Sequence, residues 1–107
     1  MGYDIQKEEK FARKLIEVAL TGKLITYGEL CDAVGLHGYC QALRYYLARI
    51  GRKCKECDLP LLPSIVVRKG ETQPSDGIYV EFGAIKVTEE QAKVFACKDW
   101  SCLEAAY

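Results

Sequence analysis

Residues 22–35, GKLITYGELCDAVG, carry the clearest structural signals of the chain. Thr26 and Glu29 have the spacing of a capping box, in which each side chain pairs with a backbone amide that the first turn of a helix leaves without a partner. We therefore predict a helix that begins at Thr26 and ends at Gly35. Gly22 predicts the end of a preceding helix, because glycine readily adopts the left-handed backbone that follows a last helical turn.

Helical periodicity continues on both sides of this stretch. Across residues 5–20, apolar side chains recur at the spacing of one helix face and predict a first helix, with Phe11, Leu15, Val18 and Ala19 on that face. A third helix is predicted from residue 38 or 39 to about Ile50, and its apolar side carries Leu43, Tyr46, Leu47 and Ile50. Gly51, or the basic run after it, is predicted to end or bend this helix.

The following segment predicts strands. Prolines at positions 60 and 63 exclude a helix interior, because proline lacks the amide donor. The run Ile65-Val66-Val67 predicts one strand, and alternating apolar residues at Ile78, Val80 and Phe82 predict a second. The loop GETQPSDG, residues 70–77, has the composition of a turn, so we expect the two strands to form a β-hairpin that residues 84–87 extend or re-pair.

A second capping box, Thr88 with Gln91, predicts a last helix that runs through Trp100. Three helices, a β-hairpin and a C-terminal helix are the order of a winged helix-turn-helix, which is an α+β fold. The chain has 107 residues, of which 50% are hydrophobic and 28% are charged. This length and composition fit one globular unit, so we predict a single winged-helix-like domain over residues 1–107.

The formal net charge is zero, but the charge is segregated along the sequence. Residues 1–43 carry a net −1, residues 44–70 a net +5 and residues 71–107 a net −4. This balance excludes a wholly basic nucleic-acid-binding tail, and the composition excludes a disordered chain. No apolar run approaches the roughly 20 residues of a membrane helix, and the N-terminus has no signal-peptide core. We expect a soluble, cytoplasmic protein without a membrane partner.

The run Gly22–Leu30, a GK-x-x-TYGEL pattern followed by Ala33 and Gly35, resembles the start of the DNA-binding domain of alkyltransferases and alkyltransferase-like proteins. The resemblance covers roughly residues 11–70. It implies a winged-helix domain that binds DNA and in which Tyr27 contacts a target phosphate. Its best register places Gln41 where the family has the arginine that enters the base stack.

The reactive segment of that family is replaced in this chain. Where the family has Pro-Cys-His-Arg, the sequence here is Pro63-Ser64-Ile65-Val66. Alkyl transfer needs a thiolate activated by a nearby base or cation, and this segment offers neither. The single histidine, His37, is predicted in a turn, where a solvated side chain is the usual outcome. We therefore predict that the protein is not an enzyme.

Polar residues gather on the side of the predicted third helix opposite its apolar residues. In a helix-turn-helix this side lies in the major groove, where arginine contacts guanine and glutamine contacts adenine. Arg68 and Lys69, beside the predicted hairpin loop, would contact phosphate as a wing does. The predicted binding residues are Tyr27, Gln41, Arg44, Tyr45, Arg49, Arg52, Arg68 and Lys69. A solvated helix face without a partner is the alternative.

Two classes of partner fit this surface. The first is nucleic acid, DNA before RNA, bound for a regulatory or anti-defence purpose. The second is a host protein complex: the chain would then be a small phage or mobile-element inhibitor, such as an anti-CRISPR protein, acting by protein–protein contact. Tyrosine and arginine are enriched at such interfaces. A dimer is compatible with either class.

The chain has six cysteines. A C-x-x-C unit and a C-x4-C unit supply four candidate zinc ligands, Cys54, Cys57, Cys97 and Cys102. The alternative is no cofactor, with cysteines such as Cys31, Cys40 and Cys97 buried as small hydrophobic residues. Structural disulfides are not expected if the compartment is reducing.

Overall fold

The computed structural model describes residues 5–35, 40–74, 82–83 and 85–107, and for residues 40–42 it describes the backbone alone. Five α-helices, one 3-10 helix and two short strands lie within these residues. In chain order they are α1 (Ile5–Leu20), β1 (Ile25–Thr26), α2 (Tyr27–Ala33), α3 (Cys40–Glu56), the 3-10 helix (Leu62–Ile65), β2 (Val66–Val67), α4 (Val87–Ala96) and α5 (Ser101–Ala105).

The first two predicted helices are confirmed. Thr26 is the N-cap of α2: its hydroxyl accepts a hydrogen bond from the Glu29 amide at 3.1 Å, and the Glu29 carboxylate accepts one from the Thr26 amide at 3.0 Å. These hydrogen bonds lower the pKa of Glu29 below its usual value. Gly22 and Gly35 follow the two helices with φ of +73° and +79°, the left-handed conformation expected there.

Of the two predicted ends of α3, Gly51 is wrong and the basic run is closer, because the helix continues through that run and ends at Glu56. Gly51 is buried against the ring of Phe82, and a Cβ at this position would lie 2.3 Å from the Phe82 Cζ. Glycine therefore serves here to let an aromatic ring approach the helix backbone. In the sequence, glycine at position 51 suggests the end of a helix; in the structure, the packing of Phe82 against α3 requires a residue without a side chain there.

We expect Gly51→Ala to lower the free energy of unfolding by about 1 kcal/mol. Alanine gains roughly 1 kcal/mol of helix propensity over glycine, but forcing the Phe82 ring aside costs about 1–3 kcal/mol. In a Phe82→Ala background the obstacle is gone, and the same substitution should stabilise the protein by up to about 1 kcal/mol. Urea denaturation of the four proteins measures this reversal. If Gly51→Ala changes the free energy of unfolding equally in both backgrounds, the Phe82 ring does not cause the loss of stability.

The winged-helix prediction is wrong. β2 pairs with β1, and the two strands are parallel, with Ile25 opposite Val66 and Thr26 opposite Val67. This two-stranded sheet is the only one in the described part of the chain, which is mostly helical, and it is not a β-hairpin. Val66 and Val67 are both buried, and burial on both faces is typical of parallel strands and not of the half-exposed strands of a wing.

The segment predicted as the second strand only partly lies within the described residues. Ile78 and Val80 fall outside them, whereas Phe82 is described and is not in a strand. The expected extension at residues 84–87 is wrong at its last residue, since Val87 begins α4. Pro63 belongs to the 3-10 helix, near its start, where a missing amide donor costs nothing.

The second capping box is also wrong. The N-cap of α4 is Lys86, which makes no side-chain capping hydrogen bond. The buried amide of Gln91 instead donates to the carbonyl oxygens of Ser64 at 2.9 Å and Thr72 at 3.1 Å. Gln91, which the sequence predicted as part of a capping box, therefore holds α4 against the 3-10 helix and against the turn after β2. The helix ends at Ala96, before Trp100.

The core lies where α1 crosses α3 and the 3-10 helix. Its fully buried large apolar side chains come from every helix and from β2: Phe11, Leu15, Leu30, Leu43, Ile50, Leu62, Ile65, Val66, Val94 and Leu103. The apolar side predicted for α3 is confirmed, with Leu43, Tyr46, Leu47 and Ile50 all buried. Among the described residues there is no helix whose length and apolar character would let it span a membrane.

Candidate nucleic-acid interface

The side of α3 opposite the core faces solvent. Arg44, Tyr45 and Arg52 are exposed, and half of the Tyr45 surface is accessible. These residues follow one another at intervals that keep them on one side of a helix, because the buried residues Leu43, Leu47 and Ile50 occupy the other. The structure thus presents a face with two arginines and an aromatic ring, where the sequence predicted a recognition surface.

Arg49 lies between this face and the interior. The carbon at the centre of its guanidinium group is 5.8 Å from the centroid of the Tyr45 ring, and its Nε is 3.3 Å from Oε1 of Glu8. The Tyr45 ring also packs edge-on against Tyr46, with centroids 5.9 Å apart. Arg49 therefore contacts Tyr45 on the outer face of α3 and also forms an ion pair with a buried carboxylate.

Glu8 is a functional candidate that sequence reasoning missed. It has no exposed surface, and Lys53 Nζ lies 2.5 Å from its Oε2. The hydroxyl of Tyr107 donates to the same carboxylate oxygen. Burial, together with this hydrogen bond, raises the pKa of Tyr107 well above its usual value, so the hydroxyl remains the donor. One buried carboxylate thus joins α1, α3 and the end of the described chain.

The sequence does contain a signal for Glu8. The residue lies three positions before Phe11 and seven before Leu15, on the same face of α1 that enters the core. A charged residue on the apolar face of a helix is almost never fully buried unless it is paired. That position therefore predicts a cationic partner elsewhere in the chain.

Three cations line a groove of about 140 Å³ along the last turns of α3. The groove is bordered by Arg49, Arg52, Lys53 and Glu56. Arg49 and Lys53 both pair with Glu8, so three cations against the carboxylates of Glu56 and Glu8 leave a net charge of +1, which favours an anion such as a phosphate group. A larger open cleft of about 260 Å³ beside the end of α1 carries two lysines and two glutamates, so its walls have no such preference.

The remaining predicted residues lie at the edge of the small sheet. Because β1 and β2 are parallel, the residues that follow them, Tyr27 and Arg68, leave the sheet at the same end. Arg68 and Lys69 are exposed, whereas Tyr27 is only partly exposed and packs against the core. The Arg68 amide donates to the Gln73 carbonyl oxygen at 3.1 Å, which closes a turn after β2 where a wing was predicted. The Gln41 side chain lies outside the described part.

The cysteines differ from the expectation. Cys57 and Cys102, both predicted zinc ligands, are joined in a disulfide with their Cα atoms 5.9 Å apart. Cys54 is buried as a free thiol, and burial is the main reason that its pKa rises to about 11. Cys97 is free and partly exposed. Within the described ranges, no three or more His, Cys, Asp or Glu side chains converge as a metal site would require, and zinc binding stays a prediction.

The run that carries the family resemblance covers the turn after α1, all of β1 and the first half of α2. Tyr27, the residue that the resemblance would assign to a phosphate, is the first residue of α2. The resemblance stays a prediction. No protein-family model matches this sequence, and neither a curated protein nor a solved structure matches it.

Proposed function

We propose that the protein binds nucleic acid, duplex DNA before RNA, without catalysing a reaction, and that the outer face of α3 makes the contact. The observation that carries the proposal is the exposure of Arg44, Tyr45 and Arg52 on one side of a helix whose other side is core. Arginine supplies both phosphate contacts and bidentate contacts to base edges, and tyrosine supplies a stacking surface.

The dimensions of the face support duplex DNA. Arg44 and Arg52 are eight residues apart, which corresponds to about 12 Å along a helix and is similar to the width of the major groove of B-form DNA. The major groove of an RNA duplex is too deep and narrow for a helix to enter. Arg52 also borders the groove of about 140 Å³ that Arg49 and Lys53 line.

The charge distribution limits the affinity. Phosphate neutralisation supplies most sequence-independent affinity, and this chain has no net charge to contribute. Residues 71–107 carry a net −4 and repel a polyanion that approaches them. Binding should therefore be oriented, with the basic segment toward the nucleic acid, and strongly dependent on salt concentration.

The test compares two double variants that remove the same charge. Arg44→Ala with Arg52→Ala should weaken binding to a fluorescent DNA duplex and reduce the slope of log K against log salt by up to about 1.8, since each lost phosphate contact contributes about 0.9. The control, Arg13→Ala with Lys93→Ala, removes two exposed cations from α1 and α4. Fluorescence anisotropy at several salt concentrations measures both. Equal losses in the two variants, or no binding by the unaltered protein at low salt, would refute the proposal.

A second candidate function is inhibition of a host defence complex by protein–protein contact, as for a phage or mobile-element protein. The half-exposed ring of Tyr45, flanked by Arg44 and the guanidinium of Arg49, has the residue types of an interface hot spot. A partner captured from a host lysate should then survive nuclease treatment and be lost with Tyr45→Ala. Release of every partner by nuclease would instead favour the first candidate.

A further inference from the structure

Residues 101–107, here called the 101–107 arm, contact Lys53, one of the residues that line the basic groove on α3. The ring of Tyr107 lies over Lys53, with Nζ 4.1 Å from the ring centroid, and its hydroxyl donates to Glu8. As a result only 20% of the Lys53 side chain is exposed, although Lys53 lines the groove beside Arg49 and Arg52. The Tyr107 ring and the buried carboxylate of Glu8, whose Oε2 is 2.5 Å from Nζ, together withhold the ammonium group from solvent.

The disulfide fixes the arm in this position. Cys102 lies in α5, at the start of the arm, and Cys57 lies in the turn directly after α3, four residues beyond Lys53. The other main anchors are the buried side chain of Leu103 and the contacts of Tyr107. Glu104 of the arm also pairs with Arg13 of α1, with Nη1 3.9 Å from Oε2. A helix of five residues has little stability of its own, so the arm depends on these attachments.

We propose that the Cys57–Cys102 disulfide is a redox lock that keeps Lys53 covered, and that its reduction by a dithiol releases the 101–107 arm and uncovers Lys53 in the groove that it lines. The consequence for nucleic-acid affinity rests on the proposed function, whereas the release of the arm does not. Cys102 is exposed and Cys57 partly exposed, so a reductant has access to the bond.

The reduction is a balanced exchange of two electrons. A thiolate of the dithiol attacks Sγ of Cys102; an S–S bond forms between them, the Cys57–Cys102 bond breaks, and Cys57 leaves as a thiolate that takes up a proton. The second thiol of the dithiol, as its thiolate, then attacks the mixed disulfide and releases Cys102, which is protonated in turn. The protein gains two thiols, and the dithiol becomes a disulfide.

The nearby free cysteine does not replace the external reductant. Cys54 is three residues before Cys57, but its thiol is buried and its pKa is raised to about 11 by that burial. It is therefore protonated at neutral pH, and a protonated thiol does not attack a disulfide. Cys54 therefore does not open the bond, and the proposed reductant is a dithiol from outside the chain.

The first test measures the arm directly. Amine acetylation of oxidised and reduced protein, followed by mass spectrometry, should show Lys53 reacting up to about fivefold faster after reduction, because the Tyr107 ring no longer covers a side chain that is 20% exposed in the oxidised protein. Lys93, which is two-thirds exposed, is the internal control and should not change. Buried Cys31 should stay protected from a thiol reagent in both states, which shows that the core remains folded.

Three results would overturn the proposal. The first is an unchanged Lys53 rate after the bond is shown to be reduced. The second is labelling of Cys31 on reduction, since the whole protein would then unfold and no local lock would exist. The third is about one zinc ion per chain, with all cysteines reduced, in protein purified without added metal.

DNA affinity separates this inference from the proposed function. If both hold, reduced protein binds a duplex more tightly than oxidised protein and with a salt slope steeper by about 0.9, the contribution of one added phosphate contact. A Lys53 rate that rises while neither form binds DNA would support the lock and refute the proposed function. If both forms bind DNA and the acetylation rate of Lys53 is unchanged, the proposed function is supported and the redox lock is refuted.

Discussion

Replacing Cys57 with serine is expected to lower the free energy of unfolding by about 2–4 kcal/mol. The disulfide closes a loop of 45 residues, and restricting a loop of this length in the unfolded chain is worth about 4 kcal/mol in the chain-entropy account. Residual structure in the unfolded state reduces the observed value. Urea denaturation under oxidising conditions measures the change.

The matched control is Cys97→Ser, which makes the same chemical change at a partly exposed free thiol without removing a crosslink. It should change stability by less than about 0.5 kcal/mol. Adding a reductant should bring the unaltered protein down to the level of Cys57→Ser and leave that variant unaffected. If reductant destabilises the variant as much as the unaltered protein, the Cys57–Cys102 bond is not the source of the stability.

Glu8→Ala is expected to cost about 3 kcal/mol. Removing one partner of a buried ion pair typically costs 3–5 kcal/mol, because the remaining charge stays desolvated. Lys53 and Arg49 are partly exposed and regain some hydration, so the lower end of that range applies. The Tyr107 hydroxyl also loses its acceptor. Thermal and urea denaturation at neutral pH measure the loss.

Two further substitutions test whether the loss of stability in Glu8→Ala comes from the buried carboxylate. Glu8→Gln keeps an acceptor oxygen and the volume of the side chain, so it should lose less than Glu8→Ala. Glu9→Ala removes a neighbouring carboxylate that pairs with Arg13 on the surface, and it should cost less than about 1 kcal/mol. Similar costs at positions 8 and 9 would contradict an energetic role for burial of the carboxylate.

The parts of the fold that local signals determine were predictable from the sequence. The capping box at Thr26 and the apolar periodicity of α1 act within one or two helical turns, and both elements form as expected. The pairing of residues 25–26 with residues 66–67 is not local, and two adjacent buried valines do not reveal the direction of their partner strand. The capping box predicted at Gln91 is wrong for the same reason, since the hydrogen-bond partners of its side chain lie 19 and 27 residues away in the sequence.

The candidate interface also has features that the local sequence predicts and contacts that only the tertiary fold determines. Exposure of Arg44, Tyr45 and Arg52 follows from the periodicity of α3, which the sequence displays directly. The engagement of Arg49 by Glu8 depends on how α1 and α3 cross, and no spacing within either helix encodes that contact. The sequence did not determine the disulfide partner of Cys57 either, because six cysteines allow many pairings.

The close approach of Phe82 to Gly51 also has an evolutionary consequence. Two positions 31 residues apart share one small volume, so neither can change freely while the other is kept. Among related chains, a residue larger than glycine at position 51 should be accompanied by a smaller residue at position 82, and an aromatic residue at 82 by glycine at 51. Covariation of this pair would then mark which relatives have kept this helix contact and which have replaced it.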